Sequence, residues 1–99
     1  MNDQDIDFLT DLESIIQERI SQGTDESYTA SLARSGVKRV AQKVGEEAVE
    51  LVLASTAGDR DEQIDESADL LYHLLVLSTL KGISLADIVS RLRARHRPA

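Results

Sequence analysis

Phe8, Leu9, Leu12, Ile15, Ile16 and Ile20 recur at intervals of three and four, the spacing of one helical face, and predict a first helix bounded by "SQGTDES". "SYTASLARSG" predicts a short second helix with Ser27 as its N-cap and Gly36 closing it. A third helix is expected from Val37 to about Ala57, stopping at Gly58 and Asp59. The fourth is expected from about Asp61 to Lys81, stopping at Gly82. Ser84 followed by Asp87 is a capping-box pattern that starts a fifth helix through Leu85, Ile88, Val89 and Leu92. No strand alternation competes with these periods. The prediction is an all-α helical bundle.

The short link between helices three and four favours an antiparallel hairpin. Both helices are apolar around most of their circumference, and Ala48, Val49, Leu51, Val52 and Leu53 cover nearly every direction of the third. A chain of 99 residues makes one small domain and can hardly surround two such helices. The expected assembly is therefore a homodimer or a higher homo-oligomer with a shared helical core. The basic tail over residues 93–99 is expected to fray.

Composition narrows the function. Only three residues are aromatic (Phe8, Tyr28 and Tyr72), so the core must be aliphatic. A formal net charge of −7 argues against a general nucleic-acid surface. The absence of cysteine excludes disulfide and thiolate chemistry and fits a reducing, cytoplasmic setting. "MNDQDIDFL" has no basic or apolar run of a secretory signal. No stretch reaches the roughly 18 apolar residues of a membrane span.

The chemistry concentrates in the hairpin. At about 100° per residue, Val40, Val44, Glu47 and Leu51 share one stripe, which puts Glu47 at the centre of an apolar face. Glu50 adjoins it one turn on, with Lys43 and Glu46 at the border. On the fourth helix Glu62, Glu66, Asp69 and His73 line one stripe. An antiparallel turn near residues 58–61 sets Glu47 and Glu50 roughly level with Glu66 and Asp69. Four facing carboxylates cannot all stay ionised and dry. Magnesium, an oxygen-seeking ion that bridges carboxylates to phosphates, is the natural partner, and a polyphosphate the natural substrate. The competing reading pairs these acids with Lys43, Arg39 or a partner chain in a non-catalytic oligomerisation module.

The pattern "EEAVE" followed by "ESAD" resembles the E-E-x-x-E … E-x-x-D motif of the all-α NTP pyrophosphohydrolase (MazG-like) superfamily. Together with "SYTASL", "QKVGEEAVEL", "DESADLLYHLLVL" and "RLRARH", it is similar to the phosphoribosyl-ATP pyrophosphohydrolase family over residues 7–96. That resemblance implies Mg²⁺-dependent cleavage of the α–β phosphoanhydride of phosphoribosyl-ATP, in the second step of histidine biosynthesis. A house-cleaning pyrophosphohydrolase of free (d)NTPs is the alternative within the superfamily.

The resemblance also implies Glu47, Glu50, Glu66 and Asp69 as metal ligands, with Glu46 an auxiliary ligand or the acid that orients water. The catalytic pair is thus Glu46 and Glu47. Lys43 is a candidate for a substrate phosphate, against an intrahelical ion pair with Glu46 or Glu47. Tyr28 and Thr29 offer hydroxyls to a phosphate, against a simple capping role. His73 is a candidate substrate contact, against a satisfied interior histidine. Tyr72 is expected to pack. Arg91, Arg93, Arg95 and Arg97 are expected to meet the helix dipole and solvent, against an approach to the substrate's ribose phosphate.

Overall fold

A computed structural model describes residues 3–23 and 27–98, so part of the "SQGTDES" boundary, Thr24 to Glu26, lies outside the described residues. Five helices follow in order: α1 (Asp3–Gln22), α2 (Tyr28–Arg34), α3 (Val37–Ala57), α4 (Arg60–Leu80) and α5 (Leu85–Arg95). The third helix has the expected bounds, and the fourth starts and ends one residue early. Asp59 caps it, its carboxylate accepting the Glu62 amide at 2.9 Å. The tail expected to fray from Arg93 is helical through Arg95.

Helices α3 and α4 form the hairpin, and Gly58 makes its turn tight. A Cβ at Gly58 would sit 3.0 Å from the Ala54 carbonyl oxygen and 3.1 Å from its Cα. Helices α1 and α2 cover only the open end of this hairpin. There Ile16, Leu32, Val40, Leu75 and Val76 form the buried core, joined by Leu9, Leu12, Ile20, Tyr72 and Leu80 at its edge. Full burial of an aliphatic side chain contributes roughly 1.5–3 kcal/mol, and Ile16, Val40, Leu75 and Val76 reach it.

Towards the turn the hairpin is bare. Val49, Val52 and Leu53 on α3 are each more than half exposed, as is half of Ile64 on α4. The chain has an accessible surface of 7156 Å² at 10.9 kDa, where a compact monomer of that mass has about 5,600 Å². Its radius of gyration, 14.8 Å, likewise exceeds the roughly 12.6 Å of a compact domain of this length. No single helix among the described residues is long and apolar enough to cross a membrane.

Helix α5 begins at the expected capping box, with the Ser84 hydroxyl accepting the Asp87 amide at 3.0 Å and Asp87 accepting the Ser84 amide at 2.9 Å. Its first amide, Leu85, also donates to Glu13 on α1 at 2.6 Å. The backbone hydrogen bond from Ser84, then that from its side chain, holds the Asp87 carboxyl below its ordinary value of 3.8. A depressed folded-state value stabilises above the unfolded value and is lost as pH falls through the folded one. The stability gap between wild type and Asp87→Ala is therefore expected to be constant near neutrality and to shrink as pH drops below about 3.8, measured by denaturant melts of the two proteins.

Candidate active site

The acids sit above the core, about two to three turns from Val40 and Val76. Helix α3 presents Glu47 and α4 presents Glu66 and Asp69, and one carboxylate oxygen from each lies within 4.8 Å of the other two. They were expected to converge because the hairpin is antiparallel, and they do. The Glu47 side chain is only 13% exposed, Glu66 is half-buried and Asp69 is open to solvent. Partial burial raises the Glu66 carboxyl above its ordinary value, and the charges of Glu50, Asp69 and Glu47 push it the same way. A cation held among the three would relieve that repulsion and leave all of them ionised.

Glu50 belongs to this electrostatic cluster without joining the three converging oxygens. It lines a depression of about 280 Å³ near the hairpin turn with Leu53, Ala54, Gly58, Glu62 and Glu66. Glu46 is held on the other flank, where Gln42 donates to it at 3.1 Å and Arg39 and Lys43 pair with it at 3.6 and 3.7 Å. Lys43 also pairs with Glu47 at 3.4 Å. That bond is the main cause of an ammonium held above its ordinary value, with Tyr28, Glu47 and Glu46 adding to it against partial burial. Lys43 thus makes the ion pairs foreseen for it and also stands at the edge of the acid cluster.

Below the acids, a polar chain ties α2 to α4. The His73 Nδ1 lies 2.7 Å from the Asp69 carbonyl, which can only accept, so Nδ1 carries a proton. The Tyr28 hydroxyl is hydrogen-bonded to His73 Nε2 at 3.0 Å. His73 is buried and satisfied, while the Tyr28 ring remains largely exposed beside it. The Thr29 and Tyr72 hydroxyls are bonded to each other, and Thr29 is buried. The Tyr72 ring packs on the core edge and stacks on Tyr28 with centroids 6.2 Å apart. Ser27 caps α2 through the Ala30 amide at 3.2 Å.

Away from these acids, Arg91 and Arg95 line a cavity of about 420 Å³ with Asp87, Ile88 and Leu92 of α5 and Ile83 just before it. Sequence reasoning gave Arg39 only a structural role as a partner for the acids. The signal was present in the four-residue spacing of Arg39 and Lys43, which puts both on one side of α3, next to the end of α2 at Ser35.

The donor set fits a hard divalent cation. It consists of carboxylate oxygens from two rigid helices, with one exposed member leaving room for water and for phosphate oxygens. Residues 9–96 match the family model described as phosphoribosyl-ATP pyrophosphohydrolase. Over 90 residues the chain is 52% identical to the histidine biosynthesis bifunctional protein HisIE of Vibrio cholerae, covering 91% of this chain and 43% of that protein. The corresponding protein of Xylella fastidiosa is also 52% identical over 90 residues, 91% of this chain and 44% of its own length. That of Campylobacter jejuni is 50% identical over 93 residues, 94% of this chain and 45% of that protein. The chain thus spans less than half the length of these relatives.

Proposed function

The chain belongs to the phosphoribosyl-ATP pyrophosphohydrolase family, and from that premise we propose that it hydrolyses the α–β phosphoanhydride of 1-(5-phosphoribosyl)-ATP. The products are 1-(5-phosphoribosyl)-AMP and pyrophosphate, in the second step of histidine biosynthesis. The observation that carries the reading is the convergence of Glu47, Glu66 and Asp69 within 4.8 Å from facing helices. These three, with Glu50 beside them, would hold Mg²⁺. When bound, that ion neutralises the acids and polarises a phosphoryl oxygen.

The chain's own residues supply the rest. Glu47 is fixed by the core beneath it and by Lys43, so its carboxylate is held in place before substrate arrives. Glu46 lies outside the converging set and is half-exposed, which suits a carboxylate that orients a water and accepts its proton as the water adds to phosphorus. The Lys43 ammonium, at the edge of the acid cluster, would meet the charge that accumulates on the departing pyrophosphate. Tyr28, aimed by His73, lies beside Lys43 and lines the approach to it.

The same reading includes a homodimer in the cytoplasm. The surface beyond that of a compact monomer is about 1,600 Å², of the order that each subunit of an obligate dimer buries. The exposed stripe of Val49, Val52 and Leu53 supplies an apolar face for a second copy.

The test is pyrophosphate release from phosphoribosyl-ATP and from a panel of NTPs and dNTPs, each with Mg²⁺ and with EDTA. Metal-dependent turnover of phosphoribosyl-ATP above all others is expected. Turnover of free dNTPs in its place would overturn the substrate, and release that EDTA leaves intact would overturn the metal.

A further inference from the structure

The acids account for the anhydride, but the proposed substrate carries another phosphate, a monoester on its second ribose. A chain of net charge −7 must neutralise that group somewhere other than the acid cluster. We propose that the cleft between α2 and the start of α3 is a second phosphate site, receiving this monoester on Arg39 and the hydroxyls of Ser31 and Ser35. The assignment rests on the proposed reaction and specifies how the same site would read its substrate.

The cleft has a volume of about 300 Å³ and is lined by Tyr28, Ser31, Leu32, Ser35, Arg39 and Lys43. No carboxylate residue lines it. It opens beside the acid cluster, because Lys43 forms one wall and pairs with Glu47 at 3.4 Å. Two cations and three hydroxyl-bearing residues therefore line one small space beside the acid cluster, and the Ser35 hydroxyl, which donates to the Leu32 carbonyl, would turn to a phosphate bound there.

The first turn of α3 adds to this. Gly36 precedes it in a left-handed conformation, φ 95°, and makes no side-chain cap, and no acid stands in the turn. Lys38 and Arg39 stand there instead, where the helix dipole disfavours cations. Such an end is electropositive twice over, and a bound anion relieves both the exposed amides and the charges.

Arg39 is available for the task. Its pair with Glu46 is long, 3.6 Å, and both side chains are nearly half exposed. Exposed pairs of this kind contribute little, so exchanging Glu46 for a phosphate is inexpensive. The guanidinium fork matches two phosphate oxygens at once, which an ammonium does not.

The experiment is an amide-resolved NMR titration of the full chain with ribose 5-phosphate and, separately, with pyrophosphate plus Mg²⁺. It is paired with kinetics of Arg39→Ala, Ser31→Glu and, as a control away from the cleft at the end of α4, Lys81→Ala. Ribose 5-phosphate is expected to shift the Ser31 and Ser35 amides, and both cleft variants to weaken that binding at least about tenfold, as loss of a charged hydrogen bond would. Their KM for phosphoribosyl-ATP should rise by a similar factor with kcat within about threefold, and Lys81→Ala should match wild type. Titration shifts need no turnover, so they report on the cleft even if phosphoribosyl-ATP is not hydrolysed. Ribose 5-phosphate shifts that avoid Ser31 and Ser35 would overturn the site. So would variants that weaken pyrophosphate as much as ribose 5-phosphate, since the cleft would then hold the leaving group.

Discussion

Glu66→Gln is expected to lower turnover of phosphoribosyl-ATP at least about a thousandfold while raising the melting temperature of the metal-free protein. Activity falls because a metal-polarised phosphoryl oxygen is worth several kcal/mol of barrier and each 1.4 kcal/mol or so is tenfold in rate. Stability rises for a separate reason. The Glu66 carboxyl is pushed up by burial and by the charges of Glu50, Asp69 and Glu47, so in the empty site its ionised form is held at a cost. An isosteric amide removes the charge and keeps the shape. Glu47→Gln should lose comparable activity without that gain, because it also takes from Lys43 its 3.4 Å partner. Steady-state assays and thermal melts in EDTA separate the two effects. An acid cluster with only a structural role would change stability alone.

Leu53→Asp is expected to break the proposed dimer. Leu53 is 56% exposed in the single chain and shares a stripe with Val49 and Val52. In a two-fold interface the substitution appears twice. Losing a central apolar anchor costs on the order of 2 kcal/mol or more each time, so the dimer dissociation constant should rise at least about a thousandfold. Sedimentation would show a monomer of 10.9 kDa, and its melting temperature should fall. A wild-type protein that sediments as a monomer at micromolar concentration would overturn the shared core.

The sequence made the helices legible because each boundary has a local chemical cause. Gly58 and Asp59 end one helix and begin the next, and Ser84 with Asp87 begins the last. The antiparallel hairpin then followed from the brevity of the link, and the facing of Glu47 with Glu66 and Asp69 from the helical period. What the period cannot supply is the direction a long side chain takes from its backbone. Glu46, Glu47 and Glu50 stand within five residues of one another, yet only Glu47 points into the converging group. Glu46 swings to Arg39 and Lys43, and Glu50 faces the depression at the turn. The partners of Thr29 and Tyr28, more than 40 residues away, depend on how α2 lies across α4. No spacing within either helix encodes that contact.

The measurement that bears most directly on the acid site is calorimetric titration of Mg²⁺ into the wild-type protein and into Glu66→Gln, with no nucleotide present. The three converging carboxylates predict saturable binding to the wild type that weakens more than tenfold in the variant, as loss of one ligand should cause. Identical isotherms for the two proteins would contradict the metal site, and with it the role assigned to the facing acids.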